Sequence, residues 1–443
     1  MDQLTLDRSA APTLVLNQGQ KAAADSFFEF LLSEEKEMII SGPGGSGKTY
    51  LMGYLIDTIL PRYFDTCRMM SIEPLYESVH MTATTNKAAE QLSEATLRET
   101  QTIQSFLGLT VRNNYSTGAT SLERTKKWTV KENMVLFVDE ASMVDTILKR
   151  CIGEATINCK IVYVGDHCQL GPVKETISPI YKAGLRTVYL TEPMRNAGQP
   201  ALMHLCDQFR DTVETGTFYD TPLVPGVVDW MDGDQVQLEI AKLLRNGEHN
   251  HRILAFTNER VIGFNDHIRD LRAQPFEYGL GEKLINNNAV HLKSMIISVE
   301  REVEIVNIGP ESTIHFDVGA GFDMKFHMCD LSTKLGHTYR DVPLPADRTY
   351  YSKLVKYFAQ QKAWVSHYQL KEKFLDLRQR DASTFHKVQG STHDTVFIDL
   401  GNLSTCHNPV QVARMLYVAV TRPRNRVIFF GQLAPKYGSI ILP

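Results

Sequence analysis

The chain has 443 residues, 43% hydrophobic and 22% charged, with a formal net charge of −4. That is ordinary globular make-up, with room for about two to four domains. Its slight acidity excludes a globally basic nucleic-acid binder, so any such surface must be a local basic track. Seven cysteines, an odd number with no C-x-x-C pair, fit reduced thiols in a cytoplasmic compartment rather than a disulfide framework or a zinc site. The N-terminus lacks the basic-then-apolar layout of a signal peptide, and no apolar run approaches membrane-spanning length.

In chain order, 16–24 opens a helix predicted to reach about residue 32. Residues 37–40 form a short apolar run suited to a buried strand. Ser41-Gly42-Pro43-Gly44-Gly45-Ser46-Gly47-Lys48-Thr49 follows and fits G-x-x-x-x-G-K-[ST], and 51–56 then starts a helix. Strand, glycine-rich turn and helix are the context a phosphate-binding loop needs. Gly42, Gly44, Gly45, Ser46 and Gly47 let backbone N–H groups face phosphate oxygens at a positive helix end. Lys48 then reaches the β- and γ-phosphates, and the Thr49 hydroxyl is a magnesium ligand. ATP and Mg2+ are therefore the expected ligands.

Further strands are predicted at 79–83, 134–138, 161–164 and 187–190, with a helix over 87–96 capped by Thr84-Thr85-Asn86. Short apolar strands alternating with helices imply a parallel sheet covered on both faces, with ligands at the carboxyl ends of its strands. The uncharged strand at 134–138 runs into Asp139 and Glu140. An acid there can hold magnesium, and a second carboxylate beside it can orient the attacking water. Gln169, after the strand at 161–164, is placed to touch the γ-phosphate or that water. Between 109 and 128 the pattern breaks into two short extended pieces around a turn at 113–118. A second α/β run begins near 252 and resumes at 395–400, with a helix from Asn408-Pro409 and a last strand at 427–430. The interruption holds short β-like pieces at 295–299, 303–308, 314–318 and 324–326. A helical stretch over 353–377 follows, with Tyr357, Trp364 and Tyr368 among lysines.

The order of these pieces resembles the superfamily 1 helicases, specifically the 1B branch that includes RecD-like and Dda-like enzymes of phages and bacteria. The likeness spans nearly the whole chain and is weakest over 109–128 and 279–380. Residues 16–20 resemble the Q motif, which implies that Gln20 meets the adenine. Residues 83–89 are similar to motif Ia, where the family usually has proline in place of Thr84. Residues 102–107 resemble a DNA-contacting segment with Gln104 in place of the usual histidine. Asp139-Glu140-Ala141-Ser142 resembles motif II, and 165–173 motif III. Leu190-Thr191-Glu192 with Arg195 resembles motif IV, 383–392 motif V and 416–424 motif VI.

The resemblance implies an α/β fold of two RecA-like P-loop domains in tandem. The first spans 1–194 with a β-hairpin, or pin, inserted at 109–128. The second comprises 195–278 and 381–443, with an SH3-like β-barrel and helical extension inserted at 279–380. Arg195 and Arg422 are then expected to grip the γ-phosphate across a cleft, with Lys48, Glu140 and Gln169 catalytic and Gly390 on the nucleotide side. Thr85, Asn86, Ser105, Phe106, Thr384, His386 and Lys387 are the expected contacts to one DNA strand. Phe106 and Phe385 are candidates for base stacking, with core packing the alternative for both. Tyr115 or Trp128 is the candidate wedge, with Arg124, Lys126 and Lys127 on phosphates. Tyr357, Trp364 and Tyr368 either brace the pin or form a packing stripe.

The implied activity is ATP-dependent 5′–3′ translocation on single-stranded DNA with unwinding of forked duplex, by a monomer. A single-strand-binding or replication protein is a further candidate partner. Two alternatives stay open: a DNA-stimulated ATPase that remodels protein–DNA complexes without unwinding, and a phosphotransferase with a small substrate.

Overall fold

A computed structural model of the chain describes residues 16–172, 175–192, 199–247, 249–275, 278–292, 296–334 and 336–441. By contacts the chain divides into two compact units. The first takes residues up to Ile103, 129–167 and 171–195; the second takes 104–128, 168–170 and the chain from Asn196.

The first unit is built on six parallel strands in the order Arg186–Tyr189, Glu37–Ser41, Lys160–Gly165, Met134–Asp139, Ser78–Ala83 and Thr100–Thr102. The central strands are buried almost throughout, as expected of runs such as Val135-Leu136-Phe137-Val138. A charge sits inside this sheet nonetheless. The Lys160 ammonium is buried, donates to the carbonyls of Ser33 (2.7 Å) and Glu35, and lies 4.5 Å from the Phe30 ring centroid. Burial pulls its pKa down to about 8. It thereby ties the end of helix Gln18–Leu32 to the central strand. The helix after the phosphate loop, Lys48–Tyr54, widens into a π-helical turn at Leu55–Ile59 before continuing as Leu60–Met69. Pro61, which has no N–H to close the α pattern, follows that turn.

The second unit holds five parallel strands in the order Val228–Met231, Pro423–Phe430, His393–Asp399, His251–Ala255 and Ala382–Thr384. One core gathers Leu202, Leu205 and Phe209 of helix Pro200–Thr215 with Val412, Leu416 and Val420 of helix Pro409–Val420. Another gathers Val236 and Ile240 of helix Gly233–Leu244 with Val261 and Ile268 of helix Asn258–Leu271. These two cores cover the sheet from two sets of helices, which is the arrangement a parallel sheet requires.

Residues 283–378 add an antiparallel sheet in the order Thr338–Pro345, Phe322–Ser332, Glu302–Phe316, Lys283–Asn286 and Leu377–Arg378. Two strands predicted at 303–308 and 314–318 are one continuous strand, Glu302–Phe316. Gly309-Pro310 lies between two paired stretches, where the register shifts from Ile308 to Glu311. A Cβ on Gly309 would stand 2.9 Å from the Met328 carbonyl oxygen, so the close approach of two backbones explains the glycine. The predicted helical stretch is likewise two helices, Arg348–Gln360 and Trp364–Lys373, parted by Lys362 at φ 55°. They pack on the far end of the long strand pair through Phe316, Met324, Tyr351, Phe358 and Phe374.

Candidate active site

In the first unit, strand Glu37–Ser41 delivers the phosphate loop to the carboxyl edge of the sheet. The Gly42 amide donates to the Gly165 carbonyl at 3.0 Å. A Cβ on Gly42 would fall 2.7 Å from Ser46 Oγ and 2.8 Å from Leu190 Cβ, so only glycine fits. Gly45 and Gly47 have φ of 85° and 78°, the left-handed region that lets successive amides turn inward. The Lys48 ammonium lies back over the loop, donating to the carbonyls of Gly42 (2.8 Å) and Pro43 (2.9 Å). Thr49 is half-buried in the first turn of the helix.

Gln20 is buried, and its amide donates to the Ser46 carbonyl at 3.3 Å. Its oxygen accepts from the Asn17 amide, while Asn17 accepts from the Gln20 amide, a reciprocal cap on helix Gln18–Leu32. The cap and the loop are thus joined through the Gln20 side chain. His167 is a contact that sequence reading did not single out. Its Nδ1 lies 2.9 Å from the Ser41 hydroxyl, at the start of the loop.

Asp139 and Glu140 follow the buried strand as predicted. Burial, reinforced by the Glu140 charge, pushes the Asp139 carboxyl up to about 7, against the opposing pull of the Glu140 backbone N–H and Lys48. Glu140 itself sits at φ 51°, a left-handed conformation that costs an L-residue energy and tends to persist at functional positions. Gly165 backs this turn: a Cβ there would be 3.1 Å from the Ala141 nitrogen. The hydroxyls of Ser46 and Ser142 are buried without a hydrogen-bond partner. Two adjacent carboxylates, one strongly desolvated, in the unit that carries a hydroxyl at Thr49, make an oxygen donor set that suits a hard divalent cation.

In the second unit, Gln169 is buried. Its side-chain oxygen accepts from Gln389 at 3.4 Å, and its backbone oxygen accepts from the Arg414 guanidinium at 2.6 Å. Neither Gln389 nor Arg414 was singled out in the sequence; the available signal was an arginine inside the apolar run of helix Pro409–Val420. Gly390 has φ 75°. Arg422, just past that helix, is buried. Its guanidinium donates to the Val418 carbonyl (3.0 Å), the Thr421 hydroxyl (2.9 Å) and the Ser391 carbonyl (3.3 Å). The structure therefore joins the segments resembling motifs V and VI. Arg195 lies outside the described residues.

The expected strand contacts divide by exposure. Thr85 and Asn86 are exposed at the start of helix Asn86–Thr96, where the Thr85 hydroxyl accepts from the Ala88 amide at 3.2 Å. Ser105 is exposed and Phe106 half-buried. Thr384 is buried at a strand end, and burial lowers the pKa of the half-buried His386. The Lys387 ammonium pairs with Glu300 at 3.0 Å and also bonds Asn287, while burial pulls its pKa down. Phe385 is a core residue packed with Val388 and Leu416 rather than a stacking platform.

The hairpin pairs Leu109–Asn113 with Thr120–Arg124. Its tip is an Asx turn in which Asn114 accepts from the amides of Ser116 and Thr117. The Tyr368 hydroxyl donates to the Gly118 carbonyl at 2.7 Å, and a Cβ on Gly118 would stand 2.5 Å from the Trp364 ring. Glu372 accepts from Asn113 and from the Tyr115 hydroxyl, both at 2.7 Å. Of the three aromatics expected to brace or merely pack, Trp364 and Tyr368 meet the hairpin, whereas Tyr357 packs edge-on to Phe322. Trp128 lies under the Arg124 guanidinium at 4.2 Å.

Two family models match the chain, the AAA domain over residues 15–220 and the UvrD-like helicase C-terminal domain over 381–430. The chain is 24% identical over 469 residues to the ATP-dependent DNA helicase dda of enterobacteria phage T4, covering 94% of this chain and 99% of that protein. Its fold is similar to that of the Pif1 helicase from Bacteroides in complex with ADP-AlF3 and ssDNA, with a TM-score of 0.50 at 14% identity, covering 97% of this chain and 95% of that one. A structure of Pif1 helicases described as unwinding at forked dsDNA gives 0.52 at 15% identity, with the same coverage. Among the described residues no helix is long and apolar enough to cross a membrane. The phosphate loop, the Asp139–Glu140 turn and Arg422 all lie inside the segments matched by the AAA domain and the UvrD-like helicase C-terminal domain, and the chain is similar along nearly its whole length to the Dda helicase and in fold to Pif1 helicases.

Proposed function

We propose that this protein is an ATP-dependent DNA helicase that moves 5′ to 3′ along single-stranded DNA and opens forked duplex. It would act as a monomer in replication, recombination or repair, in a bacterial or phage-infected cytoplasm. The observation that carries the reading is the phosphate loop and Asp139–Glu140 turn on one parallel sheet, together with a second parallel sheet bearing Gln389, Gly390 and Arg422. A phosphotransferase has no use for that second motif-bearing sheet.

In this reading the loop amides from Gly42 to Gly47 cradle the phosphates, and Gln20 meets the adenine. Lys48 exchanges the Gly42 and Pro43 carbonyls for phosphate oxygens. Thr49 and Asp139 would hold magnesium, which when bound would supply positive charge beside the phosphate oxygens. Glu140 accepts a proton from the attacking water as the bond between the γ-phosphorus and the ADP oxygen breaks. Gln169 orients that water. Arg422, with Arg195, stabilises the charge that builds on the transferring group, and to do so Arg422 gives up the Ser391 carbonyl. Once phosphate has left, that grip is lost, and alternating hold on one strand would turn each cycle into a step.

Thr85, Asn86, Ser105, Thr384, His386 and Lys387 would hold strand phosphates without reading sequence, and Phe106 would stack on a base. The braced hairpin is the candidate for parting the strands ahead of the motor, and the antiparallel sheet at 283–378 corresponds to the SH3-like insertion. The test is ATP turnover with and without single-stranded oligonucleotide. The reading expects strong acceleration by the oligonucleotide; turnover indifferent to DNA would discard it.

A further inference from the structure

Thr84 sits where the resembling family usually has proline, and here it makes two bonds that proline cannot make. Its amide donates to the Asp139 carbonyl at 3.2 Å, and its hydroxyl donates to the Glu140 carbonyl at 3.0 Å. The Glu140 carbonyl also accepts the Met143 amide at 3.0 Å. With both bonds in place, the peptide that follows Glu140 is held from two sides. That peptide is what fixes Glu140 in its left-handed conformation, and hence where its carboxylate points. Two residues earlier, in strand Ser78–Ala83, the buried Thr82 hydroxyl donates to the Phe137 carbonyl at 2.7 Å, so that strand is fastened along its length to the one ending in Asp139. On its other side Thr84 adjoins Thr85, whose hydroxyl caps the helix that exposes Asn86.

We propose that Thr84 is a positioning residue that aims Glu140 and links the strand-contacting segment at 84–86 to the catalytic turn. The inference rests on the assignment of Glu140 to the attacking water. A strand pressing on Thr85 and Asn86 shifts the helix cap. Through the adjoining Thr84 bonds, that shift reaches the Glu140 peptide. Hydrolysis thereby becomes sensitive to DNA at this point of the fold.

The test compares Thr84→Val, which keeps the shape and removes the hydroxyl, with Thr84→Ser, which restores the donor, and with Glu140→Gln. Each is assayed for ATP turnover with and without a single-stranded oligonucleotide, and for ADP affinity. Thr84→Val is expected to lower kcat in the presence of DNA by about 10-fold, a fraction of what a general base contributes, with the KM for ATP and ADP affinity unchanged. Its loss without DNA should be smaller, and Thr84→Ser should recover most of the rate. Normal kcat in Thr84→Val beside a dead Glu140→Gln would overturn the Thr84 role alone. Equal losses with and without DNA would overturn the link. A fully active Glu140→Gln would remove the catalytic assignment and this inference with it.

Discussion

The Tyr115 hydroxyl at the hairpin tip donates to the Glu372 carboxylate at 2.7 Å, although the two residues lie 257 positions apart. Asn113 donates to the other oxygen of the same carboxylate, and Tyr115 meets Tyr368 edge-on with ring centroids 5.5 Å apart. Glu372 is therefore one of the residues, with Trp364 and Tyr368, by which helix Trp364–Lys373 holds the hairpin. Glu372→Ala removes the shared acceptor and loosens the tip, leaving the Tyr368–Gly118 bond, without touching the nucleotide residues. We expect strand displacement to fall several-fold while DNA-stimulated ATP turnover stays within about twofold, since the lost hydrogen bonds are worth about 1–3 kcal/mol together. Parallel losses in both assays would show that the hairpin is not a separate strand-parting device.

Lys48→Ala removes the ammonium laid over the phosphate loop and leaves two loop carbonyls without that donor. Turnover should fall below detection, with a thermal midpoint close to wild type because Lys48 is half-buried and outside the core. Ordinary turnover in this variant would refute the site.

Arg422→Ala should spare nucleotide binding and lower DNA-stimulated turnover by about 10³-fold or more, the range for arginines that stabilise phosphoryl transfer. Because Arg422 also bonds Val418 and Ser391 within its own unit, Arg422→Lys is the companion variant. It retains charge but not the planar fork, and should stay severely impaired. Near-normal rates in both would end the catalytic role for this guanidinium.

Stability should show an acid transition centred on Asp381. This carboxylate is buried, which alone would raise its pKa, but hydrogen bonds from His249 and Arg272 and the Arg272 charge hold it down at about 2. A carboxylate depressed in the folded state stabilises the fold fully above its ordinary value of about 4 and loses that contribution as pH falls through about 2. Asp381→Asn should lower stability near neutral pH by about 3–5 kcal/mol, since it leaves Arg272 largely buried beside a neutral amide. It should also flatten the dependence between pH 4 and 2. Chemical denaturation across that range reads both effects, and an unchanged acid limb would contradict the assignment.

What the sequence made legible was contiguous. The phosphate loop, the Asp139–Glu140 strand end and the Asn408-Pro409 helix start each carry their signal in a few adjacent residues, and the structure has them where the pattern put them. What it hid was pairing at a distance. The bond from Arg414 to the Gln169 carbonyl joins residues 245 positions apart, and the Thr84–Glu140 bond joins residues 56 apart. Neither has a period or a spacing that marks it. Strand Val228–Met231 escaped because Asp229 breaks its apolar run, and only the structure supplies the reason, an ion pair with Arg426. Phe385 was ambiguous for a related cause: an aromatic beside polar strand contacts looks the same in sequence whether it faces a base or the core.

The central claim is that ATP hydrolysis drives directed opening of duplex DNA, and the most direct measurement is strand displacement on duplexes carrying a single-stranded tail at one end. With ATP and magnesium, the duplex with a 5′ tail should be opened, the duplex with a 3′ tail should not, and Lys48→Ala should open neither. Vigorous DNA-stimulated hydrolysis with both duplexes left intact would contradict unwinding and favour a remodelling translocase, and opening of the 3′-tailed duplex alone would reverse the assigned direction.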